Sequence, residues 1–335
     1  MNKLNKRNVG LSKRNVNLAT AVVINSSYAG SFAGEYIAAA LLSASTIDDG
    51  GLTIKANISW KEVIQKLGTD GLVKTATCEF DATSTITLTE RILEPKPLQV
   101  NLSLCRKDFV KNWESEQMGY GLSQTLPPNF SDFLIAHVSA EVASNNEQNI
   151  WRGDFNSVTA PNSFDGFEKI IQTAVTAGDI PAAQVVLAPG GGLTAANIIG
   201  EMTKVTNAIP NTLFGKEDLF VYVSSKAAKL YVAALGGFLA NGQGAAGVNN
   251  MGPTWYNNGS LMVNGVKVFV CPGMSDNKMY AAQRSNLFFG TGLMNNSNEI
   301  KVLDMTNLDG SDTIRMVMRF TSGVQFGTND IVQYA

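Results

Sequence analysis

Hydrophobic positions along the chain follow two periods, and the change from one to the other marks out the elements. After Pro127-Pro128, apolar side chains at Phe130, Leu134, Val138 and Val142 recur at helical spacing, which predicts a helix over about 131–151. Its second half, Ser144–Asn149, is polar all round. At about 1.5 Å per residue such a helix is about 30 Å long. Amphipathic at one end and polar at the other, it is expected to act as a strut across the molecule and not to pack along its whole length. Residues 84–104 instead alternate and are rich in β-branched types, with a break at Pro95 and Pro97, so two strand segments are expected there.

Upstream, a helix is expected over Tyr36–Ser45, ended by the turn Asp48-Asp49-Gly50-Gly51. Within Leu52–Glu79, Ser59 and Glu62 have capping-box spacing and Gly68 supplies a stop, which predicts a short helix flanked by short alternating segments. This excursion holds too few apolar residues for a core of its own and is expected to lie on something else. From Phe164 to about Gly292 helices and strands alternate. Phe167, Ile170, Ile171, Ala174 and Val175 form a helix closed by Gly178. Val185–Ala188 is a strand, Ala195–Ala208 a helix ended by Pro210, and Leu219–Val223 a strand followed by a helix capped by Ser224 or Ser225 and reaching Ala240. A loop rich in Gly and Asn spans Asn241–Gly259, and Leu261–Val270 is a hairpin about Asn264-Gly265. Strands return at Ile300–Met305, Thr313–Phe320 and Ile331–Tyr334. The class is α+β.

Composition adds a constraint on the surface. In 335 residues, room for about two domains, hydrophobic residues reach 44% but charged residues only 16%, against about 25% in ordinary soluble domains. Bulk disorder is excluded. So neutral a surface points to cover by further subunits, with a monomer rich in neutral polar residues as the alternative. Charge is also uneven: residues 1–34 carry Lys3, Lys6, Arg7, Lys13 and Arg14 and no acid, which leaves a body of −7. This arm, with KRNV at 6–9 and again at 13–16, fits salt-dependent phosphate contact. A solvated tail, or docking on an acidic face of a neighbouring subunit, fits it as well.

Candidate chemistry is sparse. Cys78, Cys105 and Cys271 are widely spaced and form no CxxC pair, which argues against a disulfide framework or zinc site and for three buried thiols in a reducing compartment. The sole histidine, His137, lies on the long helix and reads as a partly buried or interfacial imidazole. Gly190–Gly192 sits between a strand and a helix, where phosphate loops occur, but lacks Walker and GxGxxG spacing; a plain connection capped by Thr194 is the simpler reading. In Arg152-Gly153-Asp154 the glycine reads as a helix cap, and Asp48/Asp49 and Glu217/Asp218 as starts of secondary structure. No catalytic residue, cofactor or metal is assigned. The apolar run Leu18–Ile24 is short for a secretory signal, and no run approaches the about 20 apolar residues that cross a bilayer, so a soluble intracellular product is expected.

The order of elements resembles the major capsid proteins of tailed bacteriophages with the Hong Kong 97 fold. The likeness covers nearly the whole chain. It rests on the basic arm, the excursion over Leu52–Glu79, and ATCEFDATSTITLTERILEPKPLQVNLSLCRKDF, similar to the first β element of the peripheral domain. FSDFLIAHVSAEVASNNEQNIWRGD resembles the spine helix and FDGFEKIIQTA the opening of the axial domain. DLFVYVSSKAAKLYVAAL, NLFFGTGL, IKVLDM and TIRMVMRFTSGVQFGTNDIVQY resemble the return to the peripheral domain, and within the family the pattern is similar to the crAss-like phage group.

The resemblance implies an N-terminal arm (1–50), an E-loop (51–79), a peripheral domain (80–163 and 293–335) and an axial domain (164–292). It implies hexamers and pentamers that close an icosahedral shell around double-stranded DNA in the virion, assembled in the host bacterial cytoplasm. Arm residues Lys3, Lys6, Arg7, Lys13 and Arg14 become candidate assembly or phosphate contacts, and Lys55, Trp60, Lys61, Lys66 and Lys74 candidate E-loop contacts between subunits. Some relatives join an E-loop lysine to an asparagine of another subunit; no motif here selects one lysine. A separate scaffold protein, a portal and decoration proteins are the expected partners. A nucleotide-binding enzyme using Gly190–Gly192, or a DNA-binding protein acting through the arm, are the alternative functions.

Overall fold

A computed structural model describes residues 44–70, 85–105, 128–159, 161–235, 261–292, 299–305 and 313–335, with single positions at 73, 75, 76, 78 and 311. Two sheets and a two-stranded ribbon organise them. The first sheet is built along β12 (Thr313–Phe326), a strand of 14 residues. β4 (Lys96–Cys105) pairs antiparallel with one edge of β12, while β10 (Leu287–Thr291) and then β11 (Glu299–Asp304) follow each other along the opposite edge. β1 (Thr53–Lys55) lies parallel beside β10. The second sheet has six strands in the order β5 (Val185–Val186), β13 (Val332–Tyr334), β9 (Met279–Gln283), β6 (Leu219–Ser224), β8 (Val266–Cys271) and β7 (Met262–Val263).

Strand alternation gives the second sheet a core on each face. Val221, Val223, Met279 and Ala281 pack against Ile198, Met202 and Val205 of α4 (Ile198–Asn207) and Ala227, Ala228 and Tyr231 of α5 (Ser225–Leu235). Tyr222 and Tyr280 point the other way, into a cluster with Ile150 and Trp151 of α2 (Pro128–Arg152) and Phe167 and Ile171 of α3 (Phe167–Ala177). Phe289 and Phe326 carry that cluster into the first sheet. Trp151 stands at its centre, with the rings of Phe167, Tyr222 and Tyr280 at 5.5, 5.6 and 6.2 Å.

Several expectations hold. α3 ends at Gly178, whose φ of +81° is the left-handed cap that glycine favours. Of the two serines before α5, Ser224 is the cap, its Oγ accepting from the Ala227 amide at 3.3 Å. Asn264 and Gly265 both take positive φ in the hairpin β7–β8.

Others need correction. No helix forms at Ser59–Gly68; residues Glu62–Asp70 are strand β2, paired antiparallel with β3 (Thr85–Leu93). A capping-box spacing is worth little without an apolar stripe behind it, and nine cross-strand pairs outweigh it. Nor is the polar half of α2 a solvated strut: Asn146, Glu147 and Asn149 are buried beside Ile150 and Trp151. Glu147 and Asn149 bond backbone brought from elsewhere, as where Asn149 Oδ1 accepts from the Ser163 amide at 2.9 Å. α4 begins at Ile198, and Thr194 contributes its carbonyl, not its side chain, to that start. Cys271 is buried as expected, but Cys78 is exposed. His137 is exposed as well, which sets aside the partly buried reading and leaves the interfacial one untouched. The expected helix over 36–45 falls mostly outside the described residues, which begin at a short helix, α1 (Ser45–Asp48).

Candidate assembly interface

The ribbon β2–β3 has a bound face and a bare one. Ile64 and Leu93 pack with Ile58 and Phe288 on the first sheet, so closely that a Cβ at Gly290 would stand 2.9 Å from Ile58 Cδ1 and Leu93 Cδ2. Arg91 lies 4.0 Å above the Phe326 ring and donates to Asn329 Oδ1 at 2.7 Å and Asp179 Oδ2 at 3.2 Å. Gln325 Nε2 reaches the Ile92 carbonyl at 3.0 Å. On the other face Val63 stands opposite Ile92, with Leu88 and Ile86 further along β3. Ile86 and Leu88 are 65% and 55% exposed, and Trp60, just before β2, is 75% exposed. A row of large apolar side chains on a slender ribbon is a surface shaped to be covered.

The lysines expected at this surface are engaged nearer the ribbon root. Lys55 pairs with Glu62 and lies 5.2 Å from the Phe288 ring centre. Lys61 pairs with Glu94 at 2.9 Å and Lys66 with Asp330 at 3.1 Å. Glu94 is shared with Lys96, and the two ammonium groups, Lys96 first, hold its carboxyl below the usual range. Of the five positions only Trp60 presents a large apolar side chain outward; Lys74, like Lys3, Lys6, Arg7, Lys13 and Arg14, lies outside the described residues. Sequence reasoning missed Val63, Ile86, Leu88 and Ile92. The alternation of 84–93 was the available signal, but the strand partner was needed to say which face stays bare.

A second construction fastens the start of the described chain. Glu147, 5% exposed, accepts from the Thr46 amide at 3.0 Å, from the Thr46 hydroxyl, and from the Gly273 amide at 3.4 Å. Trp151 Nε1 donates to the same hydroxyl oxygen at 3.0 Å. The backbones are in contact too, since a Cβ at Gly273 would sit 2.1 Å from the Glu147 carbonyl oxygen. Burial, then the Glu147 charge, pushes the adjacent Cys271 thiol up. Tyr222 donates to the Gly51 carbonyl at 2.7 Å, so residues 44–51 are tied to both α2 and the second sheet.

The glycine loop is occupied by its own chain. Gly192 has φ +71°, the Leu193 amide donates to Asn277 Oδ1, the Thr194 amide to Asn197 Oδ1 and the Ile198 amide to the Thr194 carbonyl. The amides of Leu193, Thr194 and Ile198 are thus engaged, and buried Glu201 in the first turn of α4 opposes an anion there. In Arg152-Gly153-Asp154, a Cβ at the glycine would stand 2.2 Å from the Phe164 carbonyl, and Asp154 pairs with Lys169, which holds its carboxyl low. Asp218 accepts from Ser285 and Gln283. Among the described residues no group of three or more His, Cys, Asp or Glu could hold a metal ion, and no helix is long and apolar enough to cross a membrane.

No protein-family model matches the sequence, and no curated protein matches it. Solved structures do. The capsid of an empty GTA particle matches with a TM-score of 0.54 at 10% identity, covering 87% of this chain and 89% of that one. The capsid of the cyanophage P-SCSP1u gives 0.52 at 9% identity over 86% and 87%. The capsid of Myoviridae phage XM1 gives 0.51 at 11% identity over 97% and 99%. The chain has the fold of these capsid proteins, as the Hong Kong 97 resemblance implies.

Proposed function

We propose that the chain is the major capsid protein of a tailed bacteriophage and assembles as hexamers and pentamers into an icosahedral shell around double-stranded DNA. The observation that carries this reading is the ribbon β2–β3, gripped at its root by Arg91, Leu93 and Ile64 and bare along Val63, Ile86, Leu88 and Ile92, on a chain with a capsid fold. A two-stranded ribbon is marginal alone; its root face is held on the first sheet, and its bare face gains stability by lying on another subunit. Its work is structural and not catalytic: each contact is modest, and many neighbours per subunit add up. Low charge density suits a chain covered on several sides. The basic arm serves as a clamp on neighbouring subunits, and a separate scaffold protein directs assembly in the host cytoplasm.

Negative-stain electron microscopy of the purified protein, paired with light scattering and repeated with candidate scaffold proteins, tests the reading. Rings, sheets or closed polyhedral particles are expected. A homogeneous monomer under every condition, scaffold included, would overturn it. Deleting residues 1–17 should impair closed shells and leave the fold intact; normal particles from the truncated chain would remove the clamp role.

A further inference from the structure

A cleft of about 400 Å³ runs between α2 and the first sheet, and neither the ribbon nor the Glu147 junction uses it. Its floor is Leu98, Val100 and Leu102 of β4, which alternate onto one face, with Phe320 of β12 beside them; Val138 and Val142 of α2 roof it. Among the described residues β4, a strand of 10 residues, pairs with β12 alone, so its other backbone edge has no described partner. An occupant that suits both features brings strand backbone and a single row of apolar side chains.

The chain contains such a segment outside the described residues. In an extended Leu18–Ile24, Leu18, Thr20, Val22 and Ile24 share one face, while the other carries only Ala19, Ala21 and Val23. The tether is also right. The chain enters the described structure at buried Ala44, and Thr46 is held by Glu147, level on α2 with Asn145 and Asn149 at one end of the cleft. The 20 residues from Ile24 to Ala44 span up to about 66 Å when extended, and the cleft follows α2 only from Asn149 to His137, about 18 Å. A tether of this kind gives an effective concentration on the order of 1 mM, far above that of separate copies in dilute solution.

We propose that Leu18–Ile24 adds to the outer edge of β4 in its own chain and seats Leu18, Val22 and Ile24 in the cleft, so that the isolated subunit covers its own sheet edge. This concerns the single chain and does not depend on the capsid reading. The test places a photoreactive benzoylphenylalanine at Gln99 or Glu141 of the full-length protein, irradiates it at about 0.1 and about 10 µM, where tethered and separate segments differ in concentration dependence, and maps the linked peptide by mass spectrometry. A link to 18–24 within one chain, equal in yield at both concentrations, is expected. Val22→Asp with Ile24→Asp should abolish it and raise deuterium uptake in β4 several-fold, while Ala21→Ser on the opposite face should change neither. A dimer adduct whose yield falls on dilution, a link only to residues 106–127, or no link to 18–24 from either position would overturn the assignment. Subunits that assemble yet show no such link would overturn this inference and leave the capsid reading standing.

Discussion

Glu147 holds Thr46 through both of its carboxylate oxygens, one on the amide and one on the hydroxyl, across 101 residues of sequence. Replacing Thr46 with Val removes the hydroxyl from a buried charged acceptor and from Trp151 Nε1 and should cost about 1.5–3 kcal/mol. Glu147→Gln keeps the shape but sets an amide NH₂ against buried donors, so a loss at least as large is expected. Denaturant midpoints of isolated subunits, with hydrogen exchange over 44–51, check both; a loss spread evenly over the chain would contradict a local fastening.

Glycine substitutions should separate contact from sequence appearance. Gly273→Ala drives a Cβ to 2.1 Å from the Glu147 carbonyl, between two backbones that cannot both yield, and should leave little soluble protein. Gly190→Ala meets nothing within 4 Å and has no positive φ, so its stability should stay within about 0.5 kcal/mol of the parent. Expression and thermal melting read the contrast, and a destabilised Gly190→Ala would restore interest in the loop.

On the ribbon, the two faces should respond in opposite ways. Leu88→Asp and Ile86→Asp alter exposed positions, so the monomer melts as before while particle yield collapses. Ile64→Ala, on the root face, should cost about 2–4 kcal/mol in the subunit itself. Melting of unassembled subunits beside particle counts distinguishes them; normal particles from Leu88→Asp would mean the bare face is not an interface.

Glu168 supplies a pH dependence with a definite sign. Burial raises its pKa above 4.5, and the bond from the Ser275 amide at 2.7 Å only partly opposes this. The folded state therefore binds the proton more tightly than the unfolded chain, and this contribution is full below about pH 4.5 and lost as pH rises through the folded value. Glu168→Gln should gain stability relative to the parent as pH increases from about 4 to 7. Parallel melting curves across that range would show that Glu168 carries no such term.

Local signals fared well in the sequence and distant ones did not. α3 with Gly178, the Ser224 cap and the Asn264-Gly265 turn are each decided within a few residues, and all three were readable. Strand β2 was mistaken for a helix because its partner begins 15 residues beyond its end and contributes the deciding bonds. Burial of the polar stretch of α2 was unreadable for the same reason, since the groups that satisfy Glu147 lie 101 and 126 residues away. The candidate interface was half legible: the excursion and Trp60 could be singled out, whereas its apolar face depended on register.

The place of β13 bears on when the protein can fold. Val332–Tyr334 lies between β5 and β9, inside the six-stranded sheet, and its ladder includes residues made about 150 positions earlier. A nascent chain emerging from the ribosome can pair β6 with β8 and β9, but among the described strands β5 has no partner until residue 334 is out. At about 5–20 residues per second, β5 waits roughly 7–30 s for the one strand that pairs with it among the described residues. Completion of this sheet is therefore a late event in synthesis of the segment.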